Sequence, residues 1–503
     1  MTTQTLFILL SVLLISCASR FVPAVKPRQW ILLAVSYFAY SSLAGYGFLA
    51  LLIASSLMNY FWGSLLRKRP AAALLCAGIA SNVLLLAFFK YLPPLARMWP
   101  APFSELDFVQ RIVLPLGVSF WTFQAISYLF DTYLEEEMDP SLVEFCLYMA
   151  FWPTVVSGPV CRLTRMLPQF RSLPASVRED YSAGAVRLIQ GLFMRFVLAE
   201  LLATGVSQGG GVAAGFDSSG IQRSALDVWA LAIGFGFQLF FDFAGYSNIV
   251  IGAARMVGIR LEENFNRPYL STTPALFWAR WHMSLSFWIR DYVYTPLATL
   301  RRDQWWRYAA LAISMVIFGF WHDAKLTMLL WGTYQGLMLV GHRLGQQLSR
   351  RIPFNLPNPL ATFLSWGATF ALMSLGWVLF RANDLTQASR LLASVMSPSA
   401  YRLSRITLHP DYYFLVGLMV AGYFGYVGLT RLVELWTEFY QRELLNRAPS
   451  GTSLGGIALR TSNAVAIRKW WVLAPVLTLM LVSAGLGLFG KGSSTAPFIY
   501  MLF

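Results

Sequence analysis

Four histidines occur in the chain, and each can be weighed as a carrier of proton transfer. His322 lies in Phe318-Gly319-Phe320-Trp321-His322-Asp323, between two apolar runs. An imidazole at membrane depth is costly unless paired or wetted, so a functional role is the first expectation and a satisfied structural histidine the competing one. Titrating near neutrality, it can take a proton from a hydroxyl and later return it. His282 sits in Arg280-Trp281-His282-Met283-Ser284-Leu285-Ser286; on a helix its face would carry Trp278, Ser286 and Ile289. His342, beside Arg343, reads as interfacial, and His409, before Pro410, as a surface residue.

Asp242 interrupts Phe240-Phe241-Asp242-Phe243. It could orient a histidine, hold an arginine along a polar tunnel, or form an ion pair that fixes packing. Asp323 follows His322 directly, and adjacent helical residues do not face one another, so it is not the orienting acid. Cys161 raises an acyl-cysteine route, yet no neighbour in sequence favours its thiolate. With Cys17, Cys76 and Cys146 it shows neither metal spacing nor a disulfide pattern, so free thiols are expected. No phosphate loop, dinucleotide fingerprint, nucleophile elbow or zinc motif is present, and neither a metal nor a tightly bound cofactor is expected.

The elements that must position these residues are set by composition. Of 503 residues, 57% are apolar and 13% charged, more apolar surface than soluble cores could hide. Apolar runs near 6–18, 30–43, 48–66, 71–92, 112–130 and 142–156 are followed by others near 186–202, 226–256, 308–320, 326–340, 363–380, 414–432 and 471–489. The expected fold class is an all-α polytopic membrane protein, with about 11 transmembrane helices plus re-entrant and interfacial helices. The net charge of +15 is carried in short polar stretches such as Arg67-Lys68-Arg69 and Arg301-Arg302. These read as cytoplasmic loops and lipid headgroup contacts, not as a nucleic-acid surface. Counting back from Arg67 places the N-terminus outside the cytoplasm. Leu14-Ile15-Ser16-Cys17 looks like a lipoprotein cleavage site, but Met1-Thr2-Thr3-Gln4-Thr5 lacks the charged leader, so the first helix is expected to be retained.

Residues 1–503 read as one membrane domain without internal repeats. Its most polar section, 255–307, interleaves Arg260, Glu262, Asn264, Arg267, Arg280, Arg290 and Asp291 with aromatic residues. Thr273 as N-cap, Pro274 at the first helical position and Pro296 as the stop predict an amphipathic, non-crossing helix over 274–294, framing a cavity toward the cytoplasm. Pro153 and Ser157-Gly158-Pro159 break an apolar run, which predicts a re-entrant loop lining a pocket.

At these residues the chain resembles the membrane-bound O-acyltransferase superfamily, in the bacterial branch of polysaccharide O-acetyltransferases and D-alanyl transfer proteins. The resemblance runs through Ser157-Gly158-Pro159, Phe241-Asp242-Phe243-Ala244-Gly245-Tyr246-Ser247, Glu263-Asn264-Phe265-Asn266-Arg267-Pro268-Tyr269, Arg280-Trp281-His282, Gly319-Phe320-Trp321-His322, Gly376-Trp377-Val378-Leu379-Phe380-Arg381-Ala382 and the terminal Phe498-Ile499-Tyr500. It implies a helical ring around a funnel and tunnel, with His322 catalytic and His282 close to the same reaction site. Asp242, Tyr246, Asn264, Arg280, Trp281, Ser286, Arg290, Asp291, Trp321 and Gln124 are candidates for the tunnel or donor site. The implied donor is acetyl-CoA or an acyl carrier protein thioester from the cytoplasm; Arg280 and Arg290 could meet its phosphates or acidic surface. An extracytoplasmic acyl-accepting protein, or an SGNH-type acyltransferase, is the implied partner, and the bacterial inner membrane the implied location. Asp323 stands where the family's usual glycine follows the histidine, Leu326 where an aromatic is often found, and Ala298-Thr299 where alginate-type proteins have two glycines. Met283-Ser284-Leu285-Ser286-Phe287-Trp288 looks more like the D-alanyl transfer proteins, whereas the length and the C-terminal motifs look more like the O-acetyltransferases, the preferred reading. D-alanyl transfer, a transporter and a non-catalytic scaffold of a polysaccharide-export complex are the alternatives.

Overall fold

The computed structural model describes residues 21–96, 107–134, 138–173, 176–206, 210–218, 221–349, 357–446 and 476–483, together with Leu14 and Gly485. Cys17, most of the first and last apolar runs, and Phe498-Ile499-Tyr500 lie outside the described residues. No strand occurs among those described, so the chain is all-helical. The principal helices of the N-terminal part are α1 (Val25–Ala44), α2 (Tyr46–Lys68), α3 (Ala72–Lys90), α4 (Val118–Leu134) and α5 (Leu142–Ala150). They are followed by α6 (Ala225–Met256), α7 (Pro274–Trp278), α8 (Met283–Ile289), α9 (Gln304–His322), α10 (Leu326–Ser349), α11 (Asn358–Arg381) and α12 (Pro410–Asn446).

Length and apolarity together single out five candidate spans among the described residues: α2, α3, α6, α11 and the first 27 residues of α12. Helices α1, α9 and α10 are of similar length but less apolar. The sequence expectation of about 11 spans therefore rests on helices that this criterion does not reach.

The chain divides into two compact units, one built from residues 1–188, 246–393 and 497–503, the other from 189–245 and 394–496; the division falls within α6. In the first unit, buried polar side chains tie apolar helices together. Asn59 of α2 and Asn82 of α3, both fully buried, exchange amide hydrogen bonds of 3.0 and 2.7 Å. Such reciprocal amide pairs give lipid-embedded helices a register that apolar packing alone does not. Arg67, at the C-terminal end of α2, donates to the Tyr128 hydroxyl on α4 (2.8 Å) and pairs with Asp139 (3.3 Å).

Helices α9 and α10 form a hairpin whose backbones meet at glycines. A Cβ on Gly319 would lie 2.3 Å from the Met328 carbonyl oxygen, and one on Gly332 would lie 2.4 Å from that of Met315. This is the small-residue packing that brings membrane helices into close approach. Asp303 caps α9 by accepting from the Trp306 backbone N–H (2.7 Å), and His322 is the last residue of α9, so the hairpin sets the height of its imidazole.

In the second unit, Asp227 is the fully buried anchor. It accepts from the backbone N–H groups of Ser224 (2.9 Å), Thr407 (3.1 Å) and Leu408 (3.1 Å), and from the Tyr413 hydroxyl. These bonds fix the start of α6 against the segment that leads into α12.

Two expectations for the polar central section are corrected. Thr273 does cap the first helix, accepting from the Leu276 N–H at 3.1 Å. However, 274–294 is not one helix: it breaks at residues 279–282, and His282 adopts the left-handed conformation, φ 43°. The face on which His282 would stack with Trp278, Ser286 and Ile289 therefore does not form. Nor does Pro296 stop the chain. It lies in Thr295–Thr299, which continues without a break from α8 and the π-helical turn Arg290–Tyr294; the proline forgoes one backbone hydrogen bond there without ending the helix. By contrast, residues 151–161 are irregular and buried throughout, as the proline and glycine breaks require.

Gly319→Ala should lower the thermal unfolding midpoint in detergent, because overpacking at such a crossing costs about 1–3 kcal/mol. Gly341→Ala, with nothing within 4 Å of the added carbon, should leave the midpoint unchanged or raise it slightly. Equal midpoints for the two variants would show that the hairpin is not held by this contact.

Candidate active site

The first unit brings both sequence-predicted histidines to one region. His282 is fully buried and His322 is 1% exposed, and their imidazoles lie within electrostatic reach of each other. His282 is seated by Asn264, itself fully buried. The Asn264 Oδ1 accepts from His282 Nδ1 at 3.0 Å and from the Ser284 hydroxyl at 2.9 Å, while its Nδ2 donates to Ser247 at 3.1 Å. The Met283 N–H donates to the Asn264 carbonyl oxygen at 2.8 Å. These bonds satisfy the polar groups exposed by the break at 279–282 and explain why the helix is interrupted there. Burial pushes the His282 imidazole down to about 3; neutral, with its proton on Nδ1, it presents Nε2 as an acceptor.

His322 is held by rings. Trp321, Phe318, Phe380 and Trp331 lie 4.7, 4.8, 5.1 and 5.4 Å from it, centroid to centroid. Trp331 belongs to α10 and Phe380 to α11, so three helices fix the imidazole. A second aromatic layer, Trp281, Phe277 and Trp377, continues this wall: Trp281 stacks on Phe277 at 5.4 Å and approaches Trp377 at 5.0 Å. Lys90, the last residue of α3, stands over the Trp321 ring at 4.9 Å.

A pocket of about 110 Å³ lies beside this cage, lined by residues 114–120, Val156, Ser157 and Trp321. It joins the exposed Leu114 to the buried Trp321, and the other neighbour of Trp321 is His322. Among its lining residues the pocket reaches the Trp321 indole, the ring next to His322.

The other candidates distribute as follows. Gln124, buried on α4, donates to the Tyr148 carbonyl oxygen at 3.3 Å. Tyr246 is buried on α6. Ser286 donates to the Trp281 carbonyl oxygen at 3.0 Å, and Arg280 is half-exposed. Asp291 pairs with Arg290 at 2.6 Å and with Arg162, so Arg290 is engaged within the chain. Burial alone would raise the Asp291 carboxyl, but hydrogen bonds from Arg290 and Arg162 outweigh it and hold the group low. Asp242 belongs to the second unit, where it faces the buried Arg195 at 3.8 Å; of the roles open to it, the structure displays an ion pair with arginine. His409 is exposed and pairs with Asp411 at 3.2 Å. Cys161 is buried, and burial pushes its thiol up, the reverse of what an acyl-cysteine route needs. Asp323, the departure from the family pattern, pairs with Lys325 at 2.7 Å within the α9–α10 turn.

Lys90, Arg162, Trp331 and Gln335 are residues of this region that motif spacing did not single out. Lys90 closes an apolar run, where lysine ordinarily reaches for the membrane surface. Arg162 meets Asp291 across 129 residues of sequence.

Residues 107–380 match the profile of the MBOAT, membrane-bound O-acyltransferase family, and residues 465–503 match a family of unknown function. A probable alginate O-acetylase of Pseudomonas aeruginosa is 30% identical over 95% of this chain and 95% of its own. A peptidoglycan O-acetyltransferase of Helicobacter pylori is 30% identical over 76% of each chain. A teichoic acid D-alanyltransferase of Streptococcus thermophilus is 32% identical over 46% of this chain and 57% of its own.

Asn264→Ala leaves the His282 and Ser284 donors without their acceptor, at about 1–3 kcal/mol for each buried group. Its unfolding midpoint should fall well below that of Asn266→Ala, whose side chain is exposed. Indistinguishable midpoints would remove Asn264 as the clamp of this segment.

Proposed function

The chain belongs to the membrane-bound O-acyltransferase family, and from that premise we propose that it moves an acetyl group from a cytoplasmic thioester, acetyl-CoA or an acylated carrier protein, to a hydroxyl on the way to a cell-surface or exported polysaccharide. The observation that carries the reading is the pair of buried imidazoles, His322 in its aromatic cage and His282 on Asn264, at the end of a pocket whose inner wall is Trp321. His322 acts as the general base. It removes the acceptor hydroxyl proton as the oxygen attacks the thioester carbonyl, and returns that proton to the departing thiolate, a contribution of about 10²–10⁴-fold. Positioning of the two substrates supplies much of the remainder. His282, neutral and fixed, shapes the donor side.

The Trp321 indole stands between this pocket and His322, so in this reading its displacement would open the pocket to the imidazole. In this reading the protein lies in the inner membrane with its N-terminus outside the cytoplasm. It hands the acyl group to an extracytoplasmic acceptor protein or SGNH-type acyltransferase. Acetyl is preferred over D-alanyl because the match to the alginate O-acetylase runs over 95% of both chains, whereas those to two teichoic acid D-alanyltransferases cover 46% and 62% of this chain.

Purified protein incubated with radiolabelled acetyl-CoA and a hydroxyl acceptor should transfer label, and His322→Ala should abolish the transfer while the protein remains monodisperse. Transfer undiminished in that variant would end the assignment of His322; no transfer by the unaltered protein, from acetyl-CoA or acetylated carrier protein, would favour the scaffold or transporter alternatives.

A further inference from the structure

Helix α10 carries a stripe of buried polar residues at four-residue spacing: Thr327, Trp331 and Gln335, each no more than 2% exposed. The Thr327 hydroxyl, the Trp331 indole nitrogen and the Gln335 side-chain nitrogen all lack a hydrogen-bond partner among the described residues. A buried polar group left unmet is costly to a fold. Three in register on one face of a helix are not scattered defects; they form a row of hydrogen-bonding groups. The row begins in the turn beside His322, and its middle member touches the imidazole, with ring centroids 5.4 Å apart. Its last member is oriented: the Gln335 Oε1 accepts from the Trp278 indole at 3.3 Å. The Gln335 Nε2 lies against Gly376 of α11, where an added Cβ would stand 2.7 Å away.

We propose that this stripe binds the pantetheine arm of the acyl donor, the Trp331 indole N–H donating to the thioester carbonyl oxygen and the Gln335 amide N–H to the first amide carbonyl of the arm. The proposal rests on the acyl-transfer reading above. Four helical residues rise about 6 Å, close to the extended span between those two carbonyls. A thioester seated in this way has its carbonyl carbon beside His322. The acceptor oxygen attacks that carbon as His322 takes the hydroxyl proton, and the carbonyl oxygen gains negative charge against the Trp331 N–H. The C–S bond then breaks, the ester carbonyl re-forms, and the thiolate takes the proton from the imidazolium. A donor aimed at developing charge in a dry site is worth about 10²–10³ in turnover.

The test uses the full chain in detergent with acetyl-CoA. Trp331→Phe, which keeps a ring and removes the N–H, should lower kcat about 10²-fold and leave the acceptor KM within about twofold. Benzothienylalanine at 331, which replaces the N–H by sulfur in a fused ring of the same shape, should do the same; it decides the matter if the phenylalanine variant is unstable. Gln335→Leu should raise the KM for acetyl-CoA several-fold, while leaving unchanged the KM for S-ethyl thioacetate, which lacks the amide. Normal kcat in a folded position-331 variant, or equal effects of Gln335→Leu on both thioesters, would overturn the proposal. Failure of the unaltered protein to use acetyl-CoA or acetylated carrier protein would instead strike the acyl-transfer reading itself.

Discussion

Inside an apolar helical bundle no water is at hand for a polar group, so each must be met by protein or by substrate. That constraint organises the first unit. Where the chain breaks at 279–282, one buried amide, that of Asn264, meets the orphaned groups and seats His282 in doing so. Where α2 and α3 cross, two asparagines meet one another. Along the face of α10, three buried groups at four-residue spacing find no partner among the described residues, and that row passes His322.

The same constraint explains the aromatic composition of the cage. A ring can enclose an imidazole without competing for its proton, and it excludes water, which strengthens the interactions of the groups inside. The Gly319–Gly332 crossing then sets where the imidazole stands, because neither backbone can slide outward without losing contact. Asp323, in place of the usual glycine, is accommodated by pairing with Lys325 in the turn.

Much of this was legible in residue types. Apolar runs and sparse charge announce a helical membrane protein, Thr273 announces its helix start, and Pro153 with Ser157-Gly158-Pro159 announces buried irregular backbone. The break before His282 was not legible: Phe277-Trp278-Ala279-Arg280-Trp281 has no glycine or proline, and the interruption depends on Asn264, reached through tertiary structure. The α10 stripe was hidden for another reason. Tryptophan reads as apolar in a hydropathy pattern, so a single indole N–H leaves no trace in it. Lys90 and Arg162 escaped because their partners, the Trp321 ring and Asp291, are distant in sequence.

The claim on which the account turns is that the reactive end of an acyl thioester comes to rest between His322 and α10. A non-transferable thioether analogue of acetyl-CoA, carrying a diazirine in place of the acetyl methyl, tests it directly by photolabelling and peptide mapping. The account predicts labels on Trp331, His322 or Thr327, suppressed by excess acetyl-CoA. Competable labelling confined to Cys161, or to residues of the second unit such as Arg195 and Asp242, would contradict it.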